Sequence, residues 1–96
     1  MTTFVVTYTY DASPQAMAAL RPQRYEFFAR LDEQGVLLAS GQLLDGPLGD
    51  GMLVLTAPDE AAARRMLAED PFVREGLVAR LELAAWRPTV GAWVAG

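Results

Sequence analysis

Hydrophobic and polar positions divide the chain into segments of two different periods. Residues 3–10, Thr-Phe-Val-Val-Thr-Tyr-Thr-Tyr, are β-branched or aromatic throughout and predict a strand. Ser13-Pro14 predicts either a short helical turn or a loop through Leu20. Pro22 suits the first turn of a helix, where its missing N–H has no intrahelical partner to lose. That helix is expected to run to about Gln34, with Phe27, Phe28 and Leu31 as its buried stripe and Gly35 just past its end. Val36 to Leu44 reads as a second strand, apolar on both faces, with Gly41 inside it. Asp45 to Gly51 is dense in breakers and reads as a turn, so Met52 to Ala57 closes a hairpin. A second long helix starts at Pro58-Asp59-Glu60, with acids in its first turn where the helix dipole favours them. Leu77 to Arg87 is the last strand and alternates clearly. Leu77, Ala79, Leu81, Leu83 and Ala85 take one face; Val78, Arg80, Glu82, Ala84 and Trp86 take the other.

The resulting order, β-α-β-β-α-β, is the ferredoxin-like arrangement: an α+β fold with a four-stranded antiparallel sheet and both helices on one face. The opposite sheet face is not convincingly polar in this reading. Large exposed apolar faces mark interfaces, so a homodimer that buries sheet against sheet is expected. The tail, residues 88–96, stands where it can join that interface, and Trp86 and Trp93 read as packing or dimer anchors.

The segment Asp70-Pro71-Phe72 adds chemistry to this outline. The apolar stripe of the second helix is Ala62, Ala63, Met66 and Leu67, and the next residue on that face is Asp70. A carboxylate is poorly placed at a helix C-terminus, which carries partial negative charge. Two readings stand side by side. Asp70 can cap the next turn, with Pro71 in the first helical position, or it can belong to a site, and the two roles are compatible.

Ninety-six residues make a single domain, 1–96. The chain contains no run of 18 or more apolar residues, so no transmembrane helix is expected. Met1-Thr2-Thr3-Phe4 lacks the basic region of a signal peptide, and a cytoplasmic location is expected. The net charge is −4, and all eight basic residues are arginines scattered among acids, which argues against nucleic-acid binding. With no histidine and no cysteine, thiol chemistry, imidazole general-base chemistry and the usual zinc sites are excluded. Asp45 and Asp50 lack the ligand spacing of a calcium loop, so no metal and no cofactor are expected.

Three segments together resemble the YciI-like (YCII-related) domain family of the dimeric α/β barrel superfamily. They are Arg21-Pro22-Gln23-Arg24, Gly35 to Gly41, and Asp70 to Gly76; the likeness spans about residues 3–88. It implies a ferredoxin-like fold, a dimer, and a site made of a helix-one histidine and an aspartate before the last strand. Similar folds include muconolactone isomerases and small cofactor-free monooxygenases, and a YciI-like domain has been linked to dehydrochlorination of chlorinated aromatics. Asp70 matches the family aspartate. The family histidine falls at Arg24, and arginine stays protonated, so a histidine–aspartate proton shuttle does not carry over.

Arg24 can instead pair with Asp70 or clamp an anion through its planar fork. Its other reading is a first-turn arginine whose stem covers apolar surface; a cation there opposes the dipole, which favours a specific partner. Arg21 can join Arg24 on an anion or lie in solvent. Tyr8 and Tyr10 read first as core or interface residues with satisfied hydroxyls, with a ligand role for Tyr8 as the sharper alternative. Gly41 marks a bulge or a close backbone approach that helps to shape a cleft. Ser40 has no base to activate it. Glu82 has a cavity position or an ion pair with Arg80.

Two functions follow from these residues. The first is a cleft holding Arg24 and Asp70 that binds a small anionic or aromatic molecule, with proton transfer of the isomerase or lyase type by Asp70 and anion stabilisation by Arg24. The second is a non-catalytic accessory or interaction domain that has lost the family histidine. A cofactor-free monooxygenase is weaker, since such sites draw on histidine and asparagine, both absent here.

Overall fold

A computed structural model describes residues 1–45 and 50–94. The elements are β1 (Thr2–Tyr10), α1 (Pro14–Glu33), β2 (Leu37–Gln42), β3 (Gly51–Ala57), α2 (Glu60–Leu67), α3 (Pro71–Arg74) and β4 (Val78–Ala85). The four strands form one antiparallel sheet in the order β2-β3-β1-β4. This is the ferredoxin-like α+β fold expected from the hydrophobic pattern. The breaker-rich turn after Asp45 falls largely on residues 46–49, outside the described residues, as does the end of the tail.

Phe4, Val6, Tyr8 and Tyr10 alternate along β1 and are all buried. They meet Leu53, Leu55 and Ala57 of β3 and Ala63, Leu67 and Phe72 of the helical layer to form the core. Burial of this apolar surface, at about 25 cal/mol per Å², is what holds the helices on the sheet. The other face of β1 presents Thr3, Val5, Thr7 and Thr9. The sequence reading made both faces of β1 apolar or aromatic; the period-2 pleat sorts the aromatics to the core face and leaves mainly threonines on the open one.

Two expectations need correction. The first helix starts at Pro14, not Pro22, and runs unbroken through Pro22. Ser13 caps it, its hydroxyl accepting from the Ala16 N–H at 3.1 Å. Pro22 removes the donor that the Ala18 carbonyl would use, a loss worth about 3 kcal/mol in a sealed helix interior. Both residues lie on the solvent side, where water can serve that carbonyl instead. The second correction concerns β4. The register shifts between Thr9 and Tyr10, so Val78 rather than Ala79 stands opposite Tyr10. Val78, expected on the open face, packs on the core.

Candidate functional site

The continuous α1 places Arg24 in mid-helix, on the side that faces the sheet and α3. The dipole argument for a first-turn arginine therefore does not apply. The guanidinium instead enters a pocket of aromatic rings. Its central carbon lies 4.2 Å from the ring centre of Phe72, 4.8 Å from Tyr8, 4.9 Å from Phe28 and 5.3 Å from Tyr10. The side chain is 11% exposed. Cation–π attraction of this kind contributes about 2 kcal/mol when the cation is desolvated.

Asp70 is what makes that burial tolerable. It sits at the junction of α2 and α3, where its own N–H closes the last turn of α2 on the Leu67 carbonyl. Oδ1 accepts from the Phe72 N–H at 2.9 Å, the bond of a helix cap. Oδ2 accepts from Arg24 Nε at 3.2 Å. The carboxylate is 0% exposed, and it is the one buried charged or polar residue of the core among the described residues. Capping and pairing thus occur together. Tyr10 completes the support, its hydroxyl oxygen accepting from Arg24 Nη1 at 2.7 Å. Burial works against the positive charge of Arg24, but the Asp70 carboxylate and the Tyr10 hydroxyl outweigh it and hold the guanidinium pKa above its ordinary value.

The remaining terminal nitrogen of the fork is different. Nη2 donates to no described residue, yet it is not a sealed atom. Arg24 lines a cleft of about 570 Å³ between α1 and the core face of the β2-β3-β1 portion of the sheet. Arg21, Tyr8, Tyr10, Phe28 and Phe72 share that lining with Ser40, Gly41 and Gln42 of the edge strand. Among the described residues two arginines and no acid line it, in a protein of net charge −4. Asp70 lies behind Arg24 and does not reach the cleft surface.

Tyr8 departs from expectation. Its hydroxyl is buried and has no hydrogen-bond partner, the one such side-chain atom among the described residues. Burial, and next the Asp70 charge, push its pKa above its ordinary 10.0, with Arg24 acting in the opposite sense. The folded protein therefore holds this proton where the unfolded chain releases it. Stability is unaffected below about pH 10 and falls above it, by up to about 1.4 kcal/mol per pH unit, until the folded pKa is reached. Tyr8→Phe is expected to flatten this alkaline loss. At neutral pH it should leave stability equal or higher, because an unpaired buried hydroxyl costs about 1–3 kcal/mol. Urea melts at several pH values check both points, and a clear loss of stability at pH 7 would show that the hydroxyl is bonded in solution.

The residue profile of the YCII-related domain matches positions 1–87. The chain belongs to the YCII-related family. No curated protein matches this YCII-related domain. Among solved structures it is similar to the 5-chloro-2-hydroxyhydroquinone dehydrochlorinase of Burkholderia phenoliruptrix in complex with 2,5-dihydroxybenzoquinone. The two share 15% identity over 88% of this chain and 93% of the other, with a TM-score of 0.77. A NIPSNAP family protein of Agrobacterium tumefaciens gives 16% identity, 98% coverage of both chains and a TM-score of 0.62. A cofactor-independent oxygenase from Streptomyces nogalater gives 22% identity, 95% and 97% coverage and a TM-score of 0.52. These likenesses are of fold alone.

Within the YCII-related domain, Tyr8, Arg21, Arg24 and Gly41 all line the cleft, and Asp70 supports it from behind. Gly41 does so without the tight approach expected of it: a Cβ there meets nothing within 4 Å, and the β2 register shift lies between Leu37 and Ala39. The close approach is at Gly51, where a Cβ would collide with the Tyr10 hydroxyl. Sequence reasoning missed Gly51 and Phe72 as site residues and left Tyr10 in the core. The spacing of Tyr8 and Tyr10, on one face of one strand, was the available signal for Tyr10. Glu82 is remote from the cleft and pairs on the open sheet face with Arg80 at 3.6 Å, both side chains exposed. Among the described residues no cluster of metal-ligating side chains occurs, and no helix is long and apolar enough to cross a membrane.

Proposed function

We propose that this domain binds a small planar organic anion in the cleft, with Arg24 as the group that holds the anion and Asp70 as the residue that positions Arg24. The observation that carries this reading is the free Nη2 of a buried, doubly anchored guanidinium that opens onto a cleft. Such a fork is pre-organised, so little side-chain freedom is lost on binding. The aromatic walls suit a flat ring, and Arg21 adds a second positive charge at the same cleft. The dehydrochlorinase of the same fold was solved with a dihydroxybenzoquinone, a flat ring with acidic hydroxyls, and this supports the ligand class.

Chemistry of the isomerase or lyase type would draw on Arg24 to stabilise charge developing on a ligand oxygen. Asp70 is poorly disposed to be its base, because both carboxylate oxygens are engaged and neither faces the cleft. That same observation favours the second reading, a binding domain that performs no turnover. Recovery of the bound ligand from deuterated solvent separates them, since exchanged carbon-bound hydrogen marks proton transfer. We also propose a homodimer through the open sheet face, with Trp86 and Trp93 at its margin. Their rings pack edge-on at 6.2 Å while remaining 42% and 50% exposed, and a partner subunit would cover them.

Arg24→Lys tests the binding reading. Lysine keeps the charge and loses the fork, so titration calorimetry with aromatic carboxylates should show affinity reduced by about tenfold or more. Equal affinity for a variant that melts cooperatively would sink the proposal.

A further inference from the structure

Besides Arg24 Nη2 and the sealed Tyr8 hydroxyl, a third group at the cleft has incomplete hydrogen bonding. Arginine can only donate, so in the contact with Arg24 Nη1 the Tyr10 hydroxyl is the acceptor. Its own hydrogen is left over, and no described residue accepts it. The hydroxyl cannot easily turn away to find another partner. The ring is stacked on Tyr8 at 6.0 Å and set edge-on to Phe72 at 5.6 Å, and the oxygen rests against the backbone of Gly51. Tyr10 and Gly51 both line the cleft. Nη1, which donates to the Tyr10 hydroxyl, and the free Nη2 are the two terminal nitrogens of one guanidinium, so the hydroxyl and Nη2 are near neighbours.

We infer that Tyr10 is a specificity-determining ligand contact: Nη2 of Arg24 and the Tyr10 hydroxyl donate together to two neighbouring oxygens of one ring, an ortho-hydroxy carboxylate or a catechol-like anion. This rests on the anion reading of the cleft and narrows it. A ligand with one acidic group satisfies Nη2 and leaves the Tyr10 hydrogen buried without an acceptor. A ligand with a second oxygen beside the first satisfies both, and discrimination of this kind is steep because the site's polar groups are otherwise unpaired. Gly51 has a defined part in the arrangement, since any larger residue would drive the hydroxyl from its place.

Salicylate and benzoate differ by that one neighbouring oxygen and serve as probes. The wild-type protein is expected to bind salicylate at least about tenfold more tightly than benzoate. Tyr10→Phe keeps the ring contacts and removes only the hydroxyl. It should bring the two affinities to within about twofold, chiefly by weakening salicylate. Arg24→Lys should weaken both. If Tyr10 only steadies Arg24, Tyr10→Phe will weaken both probes in proportion and preserve their ratio, which overturns the inference. Equal binding of the two probes by the wild-type protein also overturns it while leaving the anion reading intact. Binding of neither probe overturns both.

Discussion

Asp70→Ala is expected to lower stability by about 3–5 kcal/mol. Two losses combine in that figure. The first is a helix cap, worth about 1 kcal/mol, because the Phe72 N–H at the start of α3 loses its acceptor. The second is larger: the Arg24 guanidinium stays enclosed by four rings without its carboxylate. The π-faces attract the cation but do not neutralise it, and one hydroxyl at Nη1 remains as its acceptor. A domain of this length has a total stability of about 5–14 kcal/mol, so the variant forfeits about a fifth of it or more. The melting temperature should fall by about 15–30 °C. Asp70→Asn is the control, since its side-chain oxygen still serves the cap while the charge is gone; it should fall between wild type and Asp70→Ala. A loss below about 1 kcal/mol for Asp70→Ala would mean that Arg24 relaxes into the cleft and that the pair does not hold the site together.

The way Asp70 was legible in the sequence, and Arg24 only partly so, follows from how each is specified. Asp70 extends a helical stripe and precedes a proline, two local signals that need no tertiary knowledge; they offer the cap as one of two compatible readings, and the structure shows the cap together with the Arg24 pairing. The succession of strands and helices along the chain is similarly local, since each strand carries its own period and its own flanking breakers. Pro22 misled because proline has two permitted uses. The favoured one is the first turn, and the choice of the other depends on solvent reaching the Ala18 carbonyl, a property of the folded surface. A helix start at Pro22 puts Arg24 in a first turn, whereas the start at Pro14 puts it in mid-helix. Its pairing with Asp70 is one of two roles that family position and charge suggest, and neither suggestion comes from geometry. The aromatic enclosure was not inferred at all. It draws on β1, α1 and α3 at once, and Gly51 enters it through a clearance that no sequence pattern encodes.

The second large effect concerns the pair as a unit. Arg24→Met fills a similar volume and keeps the apolar contacts with the rings, but it leaves the fully buried Asp70 carboxylate without a cation. A loss of about 3–5 kcal/mol is expected, comparable to that of Asp70→Ala. Adding Asp70→Asn to Arg24→Met should recover part of it. Neither charge then remains in the core, and the asparagine oxygen still accepts from the Phe72 N–H. The double variant should accordingly be more stable than Arg24→Met alone, with a coupling of about 2–3 kcal/mol across the cycle. Strictly additive losses would show that the two side chains hold their places independently. The same double variant separates stability from binding. It restores a neutral, packed core behind the cleft while removing the buried, anchored guanidinium that presents a free nitrogen to the cleft, so it should melt well above Arg24→Met and still bind aromatic carboxylates far more weakly than the wild-type protein. A fold that tolerates the neutral pair, combined with a cleft that does not work without the charged one, is the expected pattern if the buried arginine is retained for its ligand rather than for stability.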